Sequence, residues 1–158
     1  MSATFVLPLV EQAAVNFLAA QTFAQQDEDG IALDSARIFK GFQRTATVDE
    51  EKKLLLPCAV VSCVTATAET LFTGNWVAQL DIEVRSKVFD TSDAAHQAMA
   101  EELFAFFFSS TIAGSLTSAL SDFAAFMVLP VTQSRAIESN CWVSRARFTV
   151  RCCGSTVG

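Results

Sequence analysis

From Trp76 to Val88 the chain alternates in character with a period of two. Trp76, Ala78, Leu80, Ile82, Val84 and Val88 fall on one side, and Gln79, Asp81, Glu83, Arg85 and Lys87 on the other. Successive side chains of a strand point to opposite faces, so this pattern specifies a strand with one face in a core and the other in water. A strand of that kind belongs in an antiparallel sheet covered on one side. Any fold proposed for the chain must supply that cover and leave the charged side open.

The remaining elements arrange themselves around this strand. Leu9 to Ala24 reads as a helix, with Val10, Ala13, Ala14, Phe17, Leu18 and Gln21 near helical spacing and Pro8 in the first turn. The run Gln25 to Gly30 is polar and ends on glycine, a stop signal. Ala36 to Phe42 is a strand candidate, weakened by Gly41. Gln43 to Lys53, with the run Asp49-Glu50-Glu51-Lys52-Lys53, reads as a solvated loop or a short helix. Pro57 to Ala66 is small and β-branched with apolar residues on both faces, the mark of a central strand. After Asp90 or Thr91 as cap, a helix runs to about Phe108 with Ala95, Met99, Leu103, Phe106 and Phe107 as its stripe. Ile112 to Leu120 is a second, shorter helix. Ala125 to Arg135 is a strand that Pro130 assigns to an edge or a bulge. Glu138 to Asn140 is a turn, and Trp142 to Cys152 is the last strand. The predicted order, α-β-β-β-α-(α)-β-β, gives one α+β domain over residues 1–158. It has a mostly antiparallel sheet of four to five strands with helices packed on one face.

Composition narrows the function classes. The chain has 158 residues, is 51% hydrophobic, and carries fourteen Phe and no Tyr. Phe adds apolar area with no polar tip, and such an excess favours burial in a core or against sister subunits. The net charge of −6 opposes general nucleic-acid binding, which needs a basic footprint. It suits a surface that phosphate slides past without adhering. The five cysteines, an odd number, have no basic and apolar leader in Met1 to Pro8, so a reducing compartment with free thiols is expected. Leu103 to Phe108 is too short to span a bilayer, and a soluble cytoplasmic product with no membrane segment is expected.

The titratable side chains offer little catalytic pattern. His96 is the single histidine and sits on a predicted helix among alanines. A thiol or small-molecule enzyme would pair it with Cys63 or Cys141; helix packing is the plainer role. No C-x-x-C pair occurs, and adjacent Cys152 and Cys153 point to opposite faces of a strand, so no metal site and no cofactor is expected. Asp81 and Glu83 share a strand face with Arg85 and Lys87, which reads as a salt-bridged surface rather than an acid/base pair. Arg145, Arg147 and Arg151 share a face of the last strand. They either pair across the sheet with Asp81 and Glu83 or grip carboxylates of a neighbouring subunit. Trp76-Val77 with Ile82, Val84 and Arg85 is echoed at identical spacing by Trp142-Val143 with Phe148, Val150 and Arg151. That echo reflects a duplicated unit or two strands under one packing rule.

The layout resembles the tail terminator (tail completion, minor tail) proteins of long-tailed bacteriophages. The likeness rests on the helix from Leu9, the strand Leu56 to Ser62, the segment Gly74 to Ser86, the Asp90-Thr91 helix bearing His96, and the late strand pair with Trp142 to Val150. The resemblance implies a structural virion protein, not an enzyme. It implies a homo-oligomeric ring, typically a hexamer, capping the head-proximal end of the tail tube. Its partners would be the major tail tube protein and a head-tail connector or stopper, with DNA passing through the bore without specific binding. Assembly would take place in the host bacterial cytoplasm. A head-completion or connector protein of the same neck, a Cys/His enzyme and a cytoplasmic adaptor are the alternatives.

Overall fold

The computed structural model describes residues 5–41, 55–69, 74–88, 93–138 and 140–154. Helix α1 spans Val6–Ala19, strand β1 Ile38–Lys40, β2 Cys58–Ala68 and β3 Asn75–Lys87. Helix α2 spans Asp93–Ala105 and continues as a 3-10 turn over Phe106–Phe108. Helix α3 spans Ile112–Ala119, followed by β4 Phe123–Glu138 and β5 Cys141–Gly154. The five strands form one sheet in the order β1-β2-β3-β5-β4, with β1 parallel to β2 and the other pairs antiparallel. The chain is thus an α+β fold with a mostly antiparallel sheet, and its helices pack on one face.

The core strand is the one its alternation marks. Ala78, Leu80, Ile82 and Val84 of β3 are fully buried. Their neighbours in register are Ala59, Val61 and Cys63 on β2 and Ser144, Ala146, Phe148 and Val150 on β5. Helix α1 covers this layer with Val6, Val10, Ala13, Ala14 and Leu18. Its span differs from the expected Leu9 to Ala24. It starts earlier, with Pro8 still in the first turn, and ends at Ala19, because the chain must bend there to seat Phe23 in the core. The backbone N–H groups of Ala24 and Gln25 are held by the two carboxylate oxygens of Glu102 on α2, at 2.8 and 3.0 Å.

Part of the aromatic excess goes inside. A 3-10 turn has three residues per turn, so consecutive side chains leave it in three directions. Phe106 meets Phe17 and Phe23 edge-on at 5.9 and 5.7 Å, and Phe107 meets Phe17 at 5.8 Å and Phe148 at 5.2 Å. Phe108 reaches Phe148 at 5.8 Å. One run of three Phe therefore ties α1, the loop after it and β5 together, each contact adding to plain area burial. Phe5, Phe108 and Phe126 stay 49–72% exposed, so the described Phe residues divide between core and surface.

Several boundaries and faces also differ from expectation. The strand over Ala36 to Phe42 shrinks to Ile38–Lys40, since Asp34 accepts the N–H of Ala36 and holds Ser35–Arg37 as a 3-10 turn. The buried stripe of α2 is His96, Met99, Ala100, Leu103 and Phe104, so Ala95 and Phe106 lie beside it rather than on it. Pro130 lies on an edge strand, as expected, and β4 shifts register twice, around Phe126 and around Val131. The paired tryptophan echo is two antiparallel neighbours under one rule: Trp76 faces Cys152 and Trp142 faces Ser86 at opposite ends of the β3–β5 ladder. The run Gln43 to Lys53 and the cap at Asp90-Thr91 lie outside the described residues.

One buried carboxylate sits in this core. Glu11 on α1 is 5% exposed, and its Oε2 accepts the backbone N–H of Cys63 at 3.0 Å, beside the β2 bulge. Burial raises the Glu11 pKa, opposed by that hydrogen bond and by Lys40. A carboxyl with a raised folded pKa penalises the fold above that pKa. Glu11→Gln keeps the acceptor and removes the charge, so it is expected to raise unfolding stability at pH 7, the gain shrinking as pH falls and Glu11 protonates. Glu11→Ala orphans the Cys63 N–H and is expected to cost about 1–3 kcal/mol. Denaturant titration at pH 7 and at a pH low enough to protonate Glu11 checks the pair.

Candidate functional site

The sheet face turned away from the helices carries the chain's charged pattern. Asp81 and Arg147 are register partners, as are Glu83 and Arg145. Arg147 Nε donates to Asp81 Oδ1 at 2.7 Å, and Arg145 Nε donates to Glu83 Oε1 at 2.7 Å. Arg145 also forks onto Glu138 with two bonds of 2.8 Å, a bidentate geometry that suits guanidinium and carboxylate. Arg85 binds the other oxygen of Glu83 and approaches Glu138 at 3.6 Å. Arg151 reaches back to Glu69 at the end of β2, Nε to Oε1 at 3.1 Å. All five residues singled out in the sequence thus meet on this face, in pairs within one chain.

These pairs perturb their members in the expected directions. Arg145 is held more firmly protonated by Glu138, against a smaller opposing effect of burial. The carboxyls of Glu69 and Glu138 are lowered by Arg151 and Arg145 respectively. The face balances internally, Glu69, Asp81, Glu83 and Glu138 against Arg85, Arg145, Arg147 and Arg151. The net negative charge accordingly lies elsewhere, on residues such as Asp27, Glu28, Asp29, Asp93, Glu101 and Asp122.

His96 occupies a different place. It lies on the helix side, 5% exposed, and bridges two strands. Its Nδ1 is 2.8 Å from Ser86 Oγ on β3, and its Nε2 is 2.8 Å from Ser144 Oγ on β5. In the neutral ring one nitrogen donates to a serine and the other accepts a serine hydroxyl, so both are satisfied. Burial drives its pKa down to about 4. Beside it a groove of about 500 Å³ runs between α2 and β4, lined in part by Asp93, Gln97, Arg135 and Trp142. Cys63 lies on β2 with its thiol pushed up to about 12 by burial, and Cys141 on β5 is raised for the same first reason. A reactive cysteine needs a thiolate and a base near neutrality, and these shifts run the other way.

Ser86, Ser144, Glu69 and Glu138 escaped the sequence reading of the site, whereas Arg85 pairs with Glu83 as the shared strand face implied. Two had a signal. Ser86 and Ser144 occupy inward positions of otherwise apolar alternations, where a polar residue needs a buried partner. Glu69 and Glu138 stand near strand ends, and their pairing follows only from register. Among the described residues, no group of three His, Cys, Asp or Glu is placed to hold a metal ion, and no helix is long and apolar enough to cross a membrane.

No protein-family model matches the chain, and no curated protein matches its sequence. In structure it is similar to a chain from the "Virion of native gene transfer agent (GTA) particle", with a TM-score of 0.42 and 12% identity, covering 76% of this chain and 81% of that one.

Two measurements follow from this geometry. His96 with a lowered folded pKa supports stability above pH ~6.5, and that contribution is lost as pH falls toward 4, by about 3 kcal/mol in all. His96→Gln is expected to lower stability at pH 7 and to flatten the pH dependence across that window in urea titrations. On the open face, Glu83 serves two arginines at 17% side-chain exposure, whereas Asp81 serves one at 31%. Glu83→Gln is expected to cost about 1–2 kcal/mol, more than Asp81→Asn, with added salt narrowing the difference.

Proposed function

We propose that this chain is a structural virion protein of a long-tailed bacteriophage, a tail terminator that assembles as a hexameric ring. The ring caps the head-proximal end of the tail tube, ends its polymerisation and meets the head connector. The observation that carries this reading is the one-sided sheet. Helices close one face, while the other is a broad, charge-balanced surface of paired side chains, and apolar residues remain exposed along the outermost strand β4. That is the form of a building block, to be joined to other chains over wide surfaces. The charge distribution agrees with it. A balanced sheet face and an acidic remainder repel phosphate, as a channel that DNA passes without binding requires.

The function in this reading is mechanical, and no side chain acts on a substrate. The Cys/His enzyme reading is disfavoured by the serines on both nitrogens of His96 and the raised thiols of Cys63 and Cys141. A head-completion or connector protein of the same neck shares the architecture. Electron microscopy of virions separates the two. The terminator reading expects density for this chain on the tube side of the head-tail joint, in a single ring at the tube's upper end. Density on the head side would favour the connector, and density elsewhere would remove both.

A further inference from the structure

Strand β4 changes character after Ala125. Its root lies in the core, where Phe123 and Ala125 are buried. There Thr117 Oγ1 on α3 accepts the Ala125 N–H at 2.9 Å. From Phe126 to Ile137 every residue except Val128 is exposed. Both faces of the strand are open in this stretch. Pro130, Gln133 and Arg135 stand in register with Phe148, Ala146 and Ser144 on the helix side, and Leu129, Thr132 and Ser134 with Thr149, Arg147 and Arg145 on the charged side. Phe148, Ala146 and Ser144 are themselves buried. The core therefore ends at β5, and this part of β4 adds almost no burial to it.

The ladder that holds the stretch is interrupted as well. Pro130 offers no N–H, and the register shifts around Phe126 and again around Val131. Among the described residues, the one side-chain hydrogen bond from this stretch to another element runs from Arg135 Nη1 to Gln97 Oε1, at a long 3.4 Å. The far end is held by charge. Glu138 takes two bonds of 2.8 Å from Arg145 and lies 3.6 Å from Arg85. Releasing that end strands no charge. Arg145 keeps Glu83 Oε1 at 2.7 Å, Arg85 keeps the other Glu83 oxygen, and Glu138 passes into water.

A segment held by few apolar contacts opens at a lower free energy than the whole fold, while the elements around it stay closed. We propose that residues 126–137 form a strap, rooted by Thr117 at Ala125 and latched by Glu138, that leaves β5 as a loop while the rest of the fold remains intact. In the open state the inward residues of β5 still pack against α1 and α2, and β5 still pairs with β3. What changes is the outer edge of β5 from Ser144 to Val150, which the closed strap covers and the open one bares. The chain thus has a second state with a strand edge that the first state hides. This goes beyond the virion reading and does not rest on it.

The test is native-state hydrogen exchange at several urea concentrations below the unfolding transition, in the regime where reclosing outpaces exchange. Amides of residues 127–137 that bond β5 are expected to exchange at rates nearly independent of urea, because opening the strap exposes little new surface. The β5 amides that bond β3 are expected to carry the full urea dependence of global unfolding. Two variants separate the two kinds of opening. Ile82→Val thins a part of the core that strap opening leaves untouched. It is expected to speed the β3-bonded amides of β5 about two- to tenfold and to leave the strap amides unchanged. Glu138→Gln removes the latch, which is lost in either opening, and is expected to speed both sets by a common factor of about two to five. Strap amides with the full urea slope, or sped by Ile82→Val as much as the β5 amides, would overturn the strap. Urea-independent exchange of the β3-bonded amides of β5 would also overturn it, since the whole hairpin would then be the opening unit.

Discussion

The structure depends on β3 having two incompatible faces. Leu80, Ile82 and Val84 are fully buried under the helices, while Asp81, Glu83 and Arg85 lie on the other side of the same backbone. A slip of one residue would carry the aliphatic side chains into water and the charges into the core. Register is therefore fixed, and with it the neighbours on β2 and β5. The charged ladder is a consequence of that register: Asp81 meets Arg147 and Glu83 meets Arg145 because Leu80 meets Phe148 and Ile82 meets Ala146. Each such pair near the surface adds little stability by itself. Collectively the pairs keep a wide sheet face polar and balanced without a covering layer.

Much of this was legible in the sequence because it is periodic. The alternation over Trp76 to Val88 gave β3 almost to its ends, and the same rule gave β5. The pairing of Asp81 and Glu83 with Arg145 and Arg147 was open to two readings, and one subunit satisfies it by itself. Features set by tertiary contact were less visible. The end of α1 is decided by where Phe23 and Glu102 lie, which no helical spacing encodes. The buried face of α2 turns toward His96 because Ser86 and Ser144 wait on the sheet, so a polar residue displaces Ala95 from the stripe. The start of β1 is set by the Asp34 turn before it, which strand propensity does not encode.

Polar groups inside the core act as fasteners. Glu11 holds the β2 bulge, His96 joins α2 to β3 and β5, and Asn16 Nδ2 donates to the last carbonyl of α3, Ala119, at 2.9 Å. A buried network of satisfied bonds specifies one arrangement where apolar packing alone tolerates several. The three helices are thereby held to one face of the sheet. Among the described residues no helix packs on the other face, which carries the charged pairs.

Hydrogen exchange tests the central place of β3 most directly. The account predicts that the amides of Leu80 to Val84, on a strand paired with β2 on one side and β5 on the other, exchange only through global unfolding and are the slowest in the chain. Amides of β3 that exchange faster than those of α1 or β4 would contradict it.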